Sequence, residues 1–400
     1  MVRFRRMAPS DSAGGTKGGI LFVTGFWSAE TLGRSAVRST ESYLRLFAEL
    51  HRSLPFALHV WVEPQLEERV RRIVLASPPA PRTVSGKRFD ELPYAHLLEL
   101  CQALPHMVNA DPKGKESIAF STASWAKASL VDEAARALGV TVPSARVAWV
   151  DFGLAHVADM TINWPAVEEA IRATDRIQVC EMRPTSPREI ADLAKYYEYN
   201  RGRIAAGFFS APPEAMRWFA EETGRAVDEV LEVGRVVLEE QIMSVICARH
   251  PDRFQPYSSD YQGVLRNLPR IERDLGTVLY ALTSAREEAL SARGLEIYRA
   301  VVRAGLAGLR IEPQHAARLF YEAQICAWYV DRGASDDVAR LAIDLHAAGC
   351  AEVRASIDKL RPGFDRNVKH AGLSFARADP AEALERIVAR DDFTAWKGCL

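Results

Sequence analysis

The chain has 400 residues, 48% of them hydrophobic and 26% charged, which is the balance of an ordinary folded protein. This length predicts two or three domains, or one large domain with an extension. The formal net charge is −1 and there is no long basic run, so we expect no nucleic-acid partner. No run of about 18 apolar residues occurs, which predicts no membrane span. The six cysteines include no CxxC pair and are typical of reduced thiols in a cytoplasmic protein.

The N-terminal part of the chain predicts a tail followed by alternating strands and helices. Residues 1–18 are basic and then rich in glycine, without the apolar core of a signal peptide, and predict a disordered tail. Apolar, β-branched runs predict buried strands, and apolar residues at helical spacing predict helices. The predicted elements are a strand at 19–27, a helix at 31–54 ended by Pro55, a strand at 56–64 stopped by Pro64, a helix at 66–74 and a Pro-rich loop at 76–86.

The alternation continues to about residue 249. Its predicted elements are a short segment and a helix within 117–140, a strand at 147–150, a strand at 176–182, an apolar turn or strand at 205–211, and helices at 213–223 and about 225–249. Alternating strands and helices predict an α/β fold, with a mainly parallel, Rossmann-related sheet flanked by helices.

The C-terminal part has a different pattern. From about residue 270 the sequence consists of helix-like stretches, and glycines at 305, 333 and 349 follow them like C-caps. No strict repeat period is present, so the pattern indicates helical hairpins rather than a defined repeat family. We therefore expect an α-helical domain at 269–400 after an α/β domain at 19–268.

The strand at 147–150 is followed directly by an acid, Asp151. In open α/β sheets, ligands bind at the carboxyl ends of the strands, so a carboxylate in this place predicts a binding site. The alternative is a helix N-cap or a turn-forming aspartate, and the local sequence leaves both open.

Several familiar motifs are excluded. Residues 151–153 read DFG, but the chain lacks the glycine-rich loop, the lysine strand and the HRD motif of a protein kinase. No GxGxxG follows the first strand, and no P-loop, GxSxG, HExxH or EF-hand loop is present.

An ordered set of short motifs is more informative. It comprises Trp125 and Lys127 on a helix, W149-V150-D151 ending a strand, G207-F208-F209, and E239-E240-Q241 on a later helix. This order resembles GT-A-type glycosyltransferases, and in particular the bacterial HtrL/YibB family, in which a WxD-x-G stretch replaces the usual DxD. The resemblance covers about residues 19–268. It implies a GT-A-like fold and transfer of a sugar from a nucleotide diphosphate to a hydroxyl-bearing acceptor.

The resemblance also implies roles for particular residues. Glu240 is the candidate base that takes the acceptor's proton, and Asp151 is the acid at the donor, facing the ribose, the sugar or a metal. The residues expected to contact donor or acceptor are Thr24, Arg34, Arg38, Glu63, Lys127, Gly153, His156, Gly207, Gln241, Asp260 and Tyr261. Ordinary structural roles stay open for them, such as an exposed helix face for Arg34 and Arg38 or a turn hydroxyl for Thr24.

A cation is expected to meet the diphosphate of the donor. GT-A enzymes usually use Mn²⁺ or Mg²⁺, which would here bind Asp151. Gly153 stands where the second acid of DxD would be, so Arg34, Arg38 or Lys127 is the alternative source of positive charge.

The expected partners are a UDP-sugar, ahead of a GDP-sugar, and an acceptor that is a lipopolysaccharide core, a metabolite or a protein. Two other functions stay open. The chain could be a transferase fold without catalysis that acts as an interaction protein through its helical region, or an enzyme that acts on phosphosugars or nucleotides without transfer.

Overall fold

A computed structural model describes most of the chain. The described residues are 19–33, 38–76, 80–104, 117–271, 275–306, 309, 311–370, 373–375, 378–391 and 396–400. The predicted tail at 1–18 and the predicted donor contact Arg34 lie outside them.

Within the described residues, seven strands form one sheet in the order β3-β2-β1-β4-β6-β5-β7. Neighbouring pairs are parallel except those made by β6, which runs antiparallel to β4 and β5. The strands are β1 (Ile20–Phe26), β2 (Ala57–Val62), β3 (Arg82–Gly86), β4 (Arg146–Val150), β5 (Ile177–Glu181), β6 (Ile204–Ala211) and β7 (Phe254–Ser258).

Helices cover both faces of this sheet, which explains why its strands are apolar on both sides. Along β1, Leu21 and Val23 pack into one core, whereas Ile20 and Phe22 pack into the other. The helices of this part of the chain are α1 (Thr40–Ser53), α2 (Glu67–Leu75), α3 (Leu98–Gln102), α4 (Ile118–Trp125), α5 (Lys127–Ala137), α6 (Trp164–Arg172), α7 (Leu193–Tyr196), α8 (Pro213–Glu232) and α9 (Glu239–Arg249). Helices α1, α2 and α6 pack on the second face, and α4, α5, α8 and α9 on the first.

The C-terminal part is helical, as expected, and has a hydrophobic core of its own. Its helices are α10 (Leu275–Glu287), α11 (Ser291–Leu306), α12 (Pro313–Val330), α13 (Arg332–Ala348), α14 (Ala351–His370) and α15 (Pro380–Val388). Polar contacts join it to the sheet: Arg293 Nε lies 2.8 Å from Glu181 Oε2, and Ser186 Oγ donates to Glu288 Oε2 at 2.8 Å. A cavity of about 290 Å³ lies at this junction.

The first predicted helix is shorter than expected. It was predicted from residue 31, but α1 begins at Thr40 because Ser39 caps it, accepting a hydrogen bond from the Ser42 N–H at 3.2 Å. Arg38 therefore precedes the helix, and the prediction that it lies on a helix face is wrong.

Two other boundaries differ from the prediction. The segment predicted as a Pro-rich loop contains β3, an edge strand that pairs with β2 through Arg82–Gly86. The predicted break near residue 224 is absent, because α8 runs on to Glu232 and ends before Gly234, whose φ of +70° is a left-handed conformation that favours glycine.

Of the three glycines predicted to follow helices as C-caps, one does so and two lie inside helices. Gly349 is the C-cap of α13. Gly305 instead lies inside α11, and Gly333 lies in the first turn of α13, where Asp331 is the cap and accepts from the Ala334 N–H at 3.0 Å. Helices α14 and α15 were not predicted as separate elements.

The predicted fold class is confirmed as an α/β fold whose mainly parallel sheet is flanked by helices, followed by an α-helical region. No helix among the described residues is long and apolar enough to cross a membrane. All six cysteines are described and carry free thiols.

Two buried histidines predict that the fold loses stability in mild acid. Burial, and then the charge of Arg82, lowers the pKa of His51 to about 4, and burial lowers that of His59 to about 4. These two side chains thus bind fewer protons in the folded state than in the unfolded chain below pH 6.5, so their contribution to stability falls as the pH drops from 6.5 to 4. We expect His51→Leu to remove up to about 3 kcal/mol of this loss, measured by urea unfolding across that range.

The matched control for this experiment is His96→Leu, which removes an exposed histidine. It should leave the pH dependence unchanged. Equal slopes for wild type and His51→Leu would contradict the assignment to His51.

Candidate active site

Asp151 lies at the carboxyl end of β4, beside the antiparallel strand β6. Its N–H donates to the Gly207 carbonyl at 2.9 Å. Trp149 and Asp151 are two residues apart, so both side chains lie on the same face of the sheet, and Trp149 Nε1 donates to Asp151 Oδ1 at 2.7 Å. The Asp151 side chain is 39% exposed, which leaves it open to a ligand. The Asp151 carboxylate is bound by the side chains of Trp149 and Lys127, so it does not act as a helix N-cap.

Lys127 is the cation at this edge of the sheet. It begins α5, directly after the turn at Ala126, and Trp125 anchors that turn by donating from Nε1 to the Val237 carbonyl at 2.8 Å. Two residues further along both segments, Lys127 meets Glu239, and Lys127 Nζ lies 2.6 Å from Glu239 Oε1. Lys127 Nζ also lies 2.8 Å from Asp151 Oδ1.

The positive charge of Lys127 is permanent at physiological pH. Its side chain is only 12% exposed. Burial opposes the charge, but the carboxylates of Asp151 and Glu239 outweigh it and raise the pKa of Lys127 above its usual value. The third N–H donates to the Ala206 carbonyl at 3.3 Å, which is the longest of its bonds.

Glu240 follows Glu239 in the first turn of α9, where the helix dipole favours acidic residues. Its Oε1 accepts from the Ala206 N–H at 3.4 Å and from the Tyr261 hydroxyl. Burial, and then repulsion from Glu239, raises the pKa of Glu240 to about 8, against the opposing effects of Tyr261 and Lys127. A carboxyl with a pKa near the working pH is suited to acid–base catalysis.

Five side chains thus meet at one place, and we refer to Lys127, Asp151, Glu239, Glu240 and Tyr261 as the Asp151 cluster. They come from α5, the end of β4, the start of α9 and the turn after β7. Four were predicted site residues. Lys127 pairs with Asp151 and Glu239, Tyr261 donates to Glu240, and the backbone of Ala206 contacts both Lys127 and Glu240.

The two predicted glycines lie at tightly packed positions, and neither has a positive φ that would favour glycine. A Cβ at Gly207 would lie 3.1 Å from Leu154 Cδ1 and 3.6 Å from Asp151 Oδ2. A Cβ at Gly153 would lie 2.8 Å from Cε1 of the Tyr43 ring. An acid at position 153 would therefore displace Tyr43, which gives a physical reason for the absence of the second acid of DxD.

The donor set does not fit a resident divalent cation. Among the described residues, no group of three or more His, Cys, Asp or Glu side chains could hold a metal ion. Asp151, the predicted ligand, has Oδ1 bound to Trp149 and Lys127, so an ammonium group already lies beside it. Mg²⁺ usually binds through one or two carboxylates together with substrate phosphates, and here the carboxylate is already paired with an ammonium group. The predicted metal stays a prediction, and no chemical step below depends on it.

Three predicted donor contacts lie on the strands and loops nearer the N-terminus, outside the cluster. Thr24 lies within β1 and is fully buried, so its hydroxyl is closed off from solvent. Glu63 is also buried, where it accepts from the Thr31 hydroxyl at 2.6 Å and from the Ser28 N–H. Arg38 precedes α1.

The remaining predicted contacts have local partners. His156 is exposed, and its Nδ1 lies 2.7 Å from the Gly153 carbonyl. Asp260 Oδ1 accepts from the Gly263 N–H at 2.8 Å within a turn. Gln241 is buried, and its Nε2 donates to the Tyr199 carbonyl at 2.5 Å.

Glu239 is the member of the Asp151 cluster to which the sequence analysis assigned no role. Glu239 and Glu240 both belong to the EEQ motif, and only Glu240 was chosen. Trp125 and Lys127 are two residues apart, as are Val237 and Glu239. This equal spacing points to the Lys127–Glu239 pair only once the structure shows that the two segments lie side by side.

Replacement of Thr24 tests whether this residue belongs to the core. Within the described residues its Oγ1 has no hydrogen-bond partner. A buried hydroxyl without a partner destabilises the fold, so Thr24→Val should raise the free energy of unfolding by about 1 kcal/mol, measured by urea denaturation.

The control is Thr223→Val. The Thr223 hydroxyl is also buried but donates to the Phe219 carbonyl at 2.8 Å, so this change should cost up to about 1 kcal/mol. A clear loss of stability in Thr24→Val would mean that its hydroxyl is satisfied, contrary to this account.

Comparison with known proteins adds little to this geometry. No protein-family model matches the chain, and no curated protein matches its sequence. Among solved structures, the apo form of mouse xyloside xylosyltransferase 1 is similar with a TM-score of 0.33 and 13% identity, over 60% of this chain and 84% of that one. A similarity at this level carries no conclusion about activity, and the specific resemblance to the HtrL/YibB family stays a prediction.

Proposed function

We propose that the protein is a glycosyltransferase that moves a sugar from a nucleotide diphosphate to an acceptor hydroxyl. The observation that carries this proposal is the Asp151 cluster, in which a permanent cation, an exposed carboxylate and a carboxyl with a raised pKa meet at the carboxyl edge of the sheet. Ligands of open α/β sheets bind at this edge. The HtrL/YibB resemblance supports the same function.

The proposed reaction needs a base and a cation. The acceptor oxygen attacks the anomeric carbon, and the bond from that carbon to the diphosphate oxygen breaks. The nucleoside diphosphate leaves with the bonding electrons, and Glu240 takes the proton of the acceptor hydroxyl. With a pKa of about 8, about a tenth of Glu240 is ionised at pH 7, and that fraction is a stronger base than an ordinary carboxylate.

The other members of the cluster hold the donor. Lys127 is the cation placed to face the leaving diphosphate, because its bond to the Ala206 carbonyl is long enough to be exchanged for one to a phosphate oxygen. Asp151 Oδ2 accepts a hydrogen bond from a ribose or sugar hydroxyl, since Oδ1 is engaged by Trp149 and Lys127. By the resemblance, the donor is a UDP-sugar ahead of a GDP-sugar.

A donor panel tests the proposal. The purified protein is incubated with UDP- and GDP-sugars, with and without Mn²⁺, and with hydroxyl-bearing acceptors. Free nucleoside diphosphate and glycosylated product are then measured by mass spectrometry. We expect one donor to give both products. Nucleotide release without any glycosylated acceptor would favour a hydrolase, and a protein that neither binds nor cleaves any of these donors would be an interaction protein.

A further inference from the structure

Tyr261 lies on a turn that is braced by its own hydrogen bonds. Asp260 Oδ1 accepts from the Gly263 N–H at 2.8 Å, and the Tyr257 hydroxyl donates to the Val264 carbonyl at 2.6 Å. Asn267 Nδ2 donates to Ser259 Oγ at 3.1 Å across the same turn. Because both sides of the turn are tied, the position of the Tyr261 side chain is fixed by the backbone that carries it.

The Tyr261 hydroxyl donates to Glu240 Oε1. Burial, and then the charge of Glu240, raises the pKa of Tyr261 above its usual value, so this hydroxyl keeps its proton and remains a donor. The Ala206 N–H donates to the same oxygen. Both bonds therefore end on Oε1, and Oε2 is the oxygen left for a proton from a substrate.

The charged and titratable groups around Glu240 come from several elements. They are Glu239 on α9, Lys127 on α5, Tyr261 on the turn after β7 and Cys180 on β5; Asp151 at the end of β4 pairs with Lys127. Of these neighbours, Tyr261 and Lys127 favour the carboxylate form and Glu239 opposes it.

We propose that Tyr261 is the positioning residue for the base of the reaction: its hydroxyl holds Glu240 Oε1 so that Oε2 faces the acceptor. This inference rests on the proposed function, because it needs Glu240 as the base. It replaces the predicted direct contact of Tyr261 with donor or acceptor.

The test is the pH–rate profile of Tyr261→Phe. Without the hydroxyl, the carboxylate of Glu240 loses a donor, so its pKa rises further. We expect the limb of the kcat–pH profile that reports ionisation of the base to shift to higher pH by about one unit, so kcat at pH 7 should fall about tenfold. At higher pH kcat should return towards the wild-type value, and KM should change little.

Tyr257→Phe is the matched control, because the Tyr257 hydroxyl lies in the same braced turn but binds a carbonyl and not Glu240. It should lower the stability of the turn and leave the pH profile in place. A second variant covers the case in which Tyr261→Phe does not fold: 3-fluorotyrosine at position 261 keeps the ring and makes a stronger donor, so the limb should move to lower pH.

The outcomes separate the inference from the function on which it rests. Unmoved profiles in both Tyr261 variants would overturn the positioning role while leaving transfer intact. Full activity in Glu240→Gln would overturn the proposed base itself, whatever the Tyr261 variants do.

Discussion

Glu240→Gln is expected to lower the rate of sugar transfer by about 10²- to 10⁴-fold, which is the usual contribution of a general base. The amide keeps the shape of the side chain and still accepts from the Tyr261 hydroxyl and the Ala206 N–H. It cannot take a proton from the acceptor. The loss should therefore lie in kcat, measured at saturating donor, and KM for the donor should change little.

The same variant has a signature in stability. Because the pKa of Glu240 is about 8 in the folded state against 4.5 in the unfolded chain, this side chain binds more protons in the folded state between these values, and its own contribution to stability falls as the pH rises from 4.5 to 8. Glu240→Gln should flatten this part of the curve in urea unfolding.

The control is Glu232→Gln, which changes an exposed glutamate at the end of α8 and should alter neither rate nor slope. If Glu240→Gln kept the wild-type rate, Glu240 would not be the base.

Asp151→Ala is expected to lower transfer and donor hydrolysis by about 10²-fold or more, because it removes both the predicted donor contact and one of the two carboxylates that hold Lys127 in place. The protein should remain folded, since Lys127 keeps Glu239 at 2.6 Å and is not left unpaired. The rates are measured with the donor found in the panel, and folding is checked by thermal unfolding.

Two further variants sharpen this result. Asp151→Asn retains an oxygen that accepts from Trp149 and Lys127, so it should retain more activity than Asp151→Ala. Asp175→Ala removes an exposed carboxylate that pairs with Arg146 at the opposite end of β4, and it should leave transfer unchanged. An Asp151→Ala protein with wild-type turnover would place the reaction elsewhere.

The parts of the site that follow from chain order could be predicted from the sequence. A buried strand ending on Asp151 and an α/β alternation place that acid at the ligand-binding edge, and the structure has it there. The structure also brings Lys127 to Asp151 and Tyr261 to Glu240, all chosen from a resemblance in motif order, and their roles stay predictions.

The predictions that were wrong or incomplete depend on tertiary contacts. The burial of Thr24 follows from the layers packed against β1, and its contact with the donor stays a prediction. Edge strand β3 is short and polar, and it is a strand because it pairs with β2. Its residues alone therefore indicate a loop. Glu239 is recognisable only after the start of α9 is known to lie against the start of α5.

A crystal structure of the protein soaked with the active nucleoside diphosphate tests the central claim most directly. The account predicts difference density for the diphosphate at the carboxyl edge of β4, with a phosphate oxygen within hydrogen-bond distance of Lys127 Nζ and the ribose or sugar beside Asp151. Density for the nucleotide at another part of the molecule, with the Asp151 cluster unchanged, would contradict it.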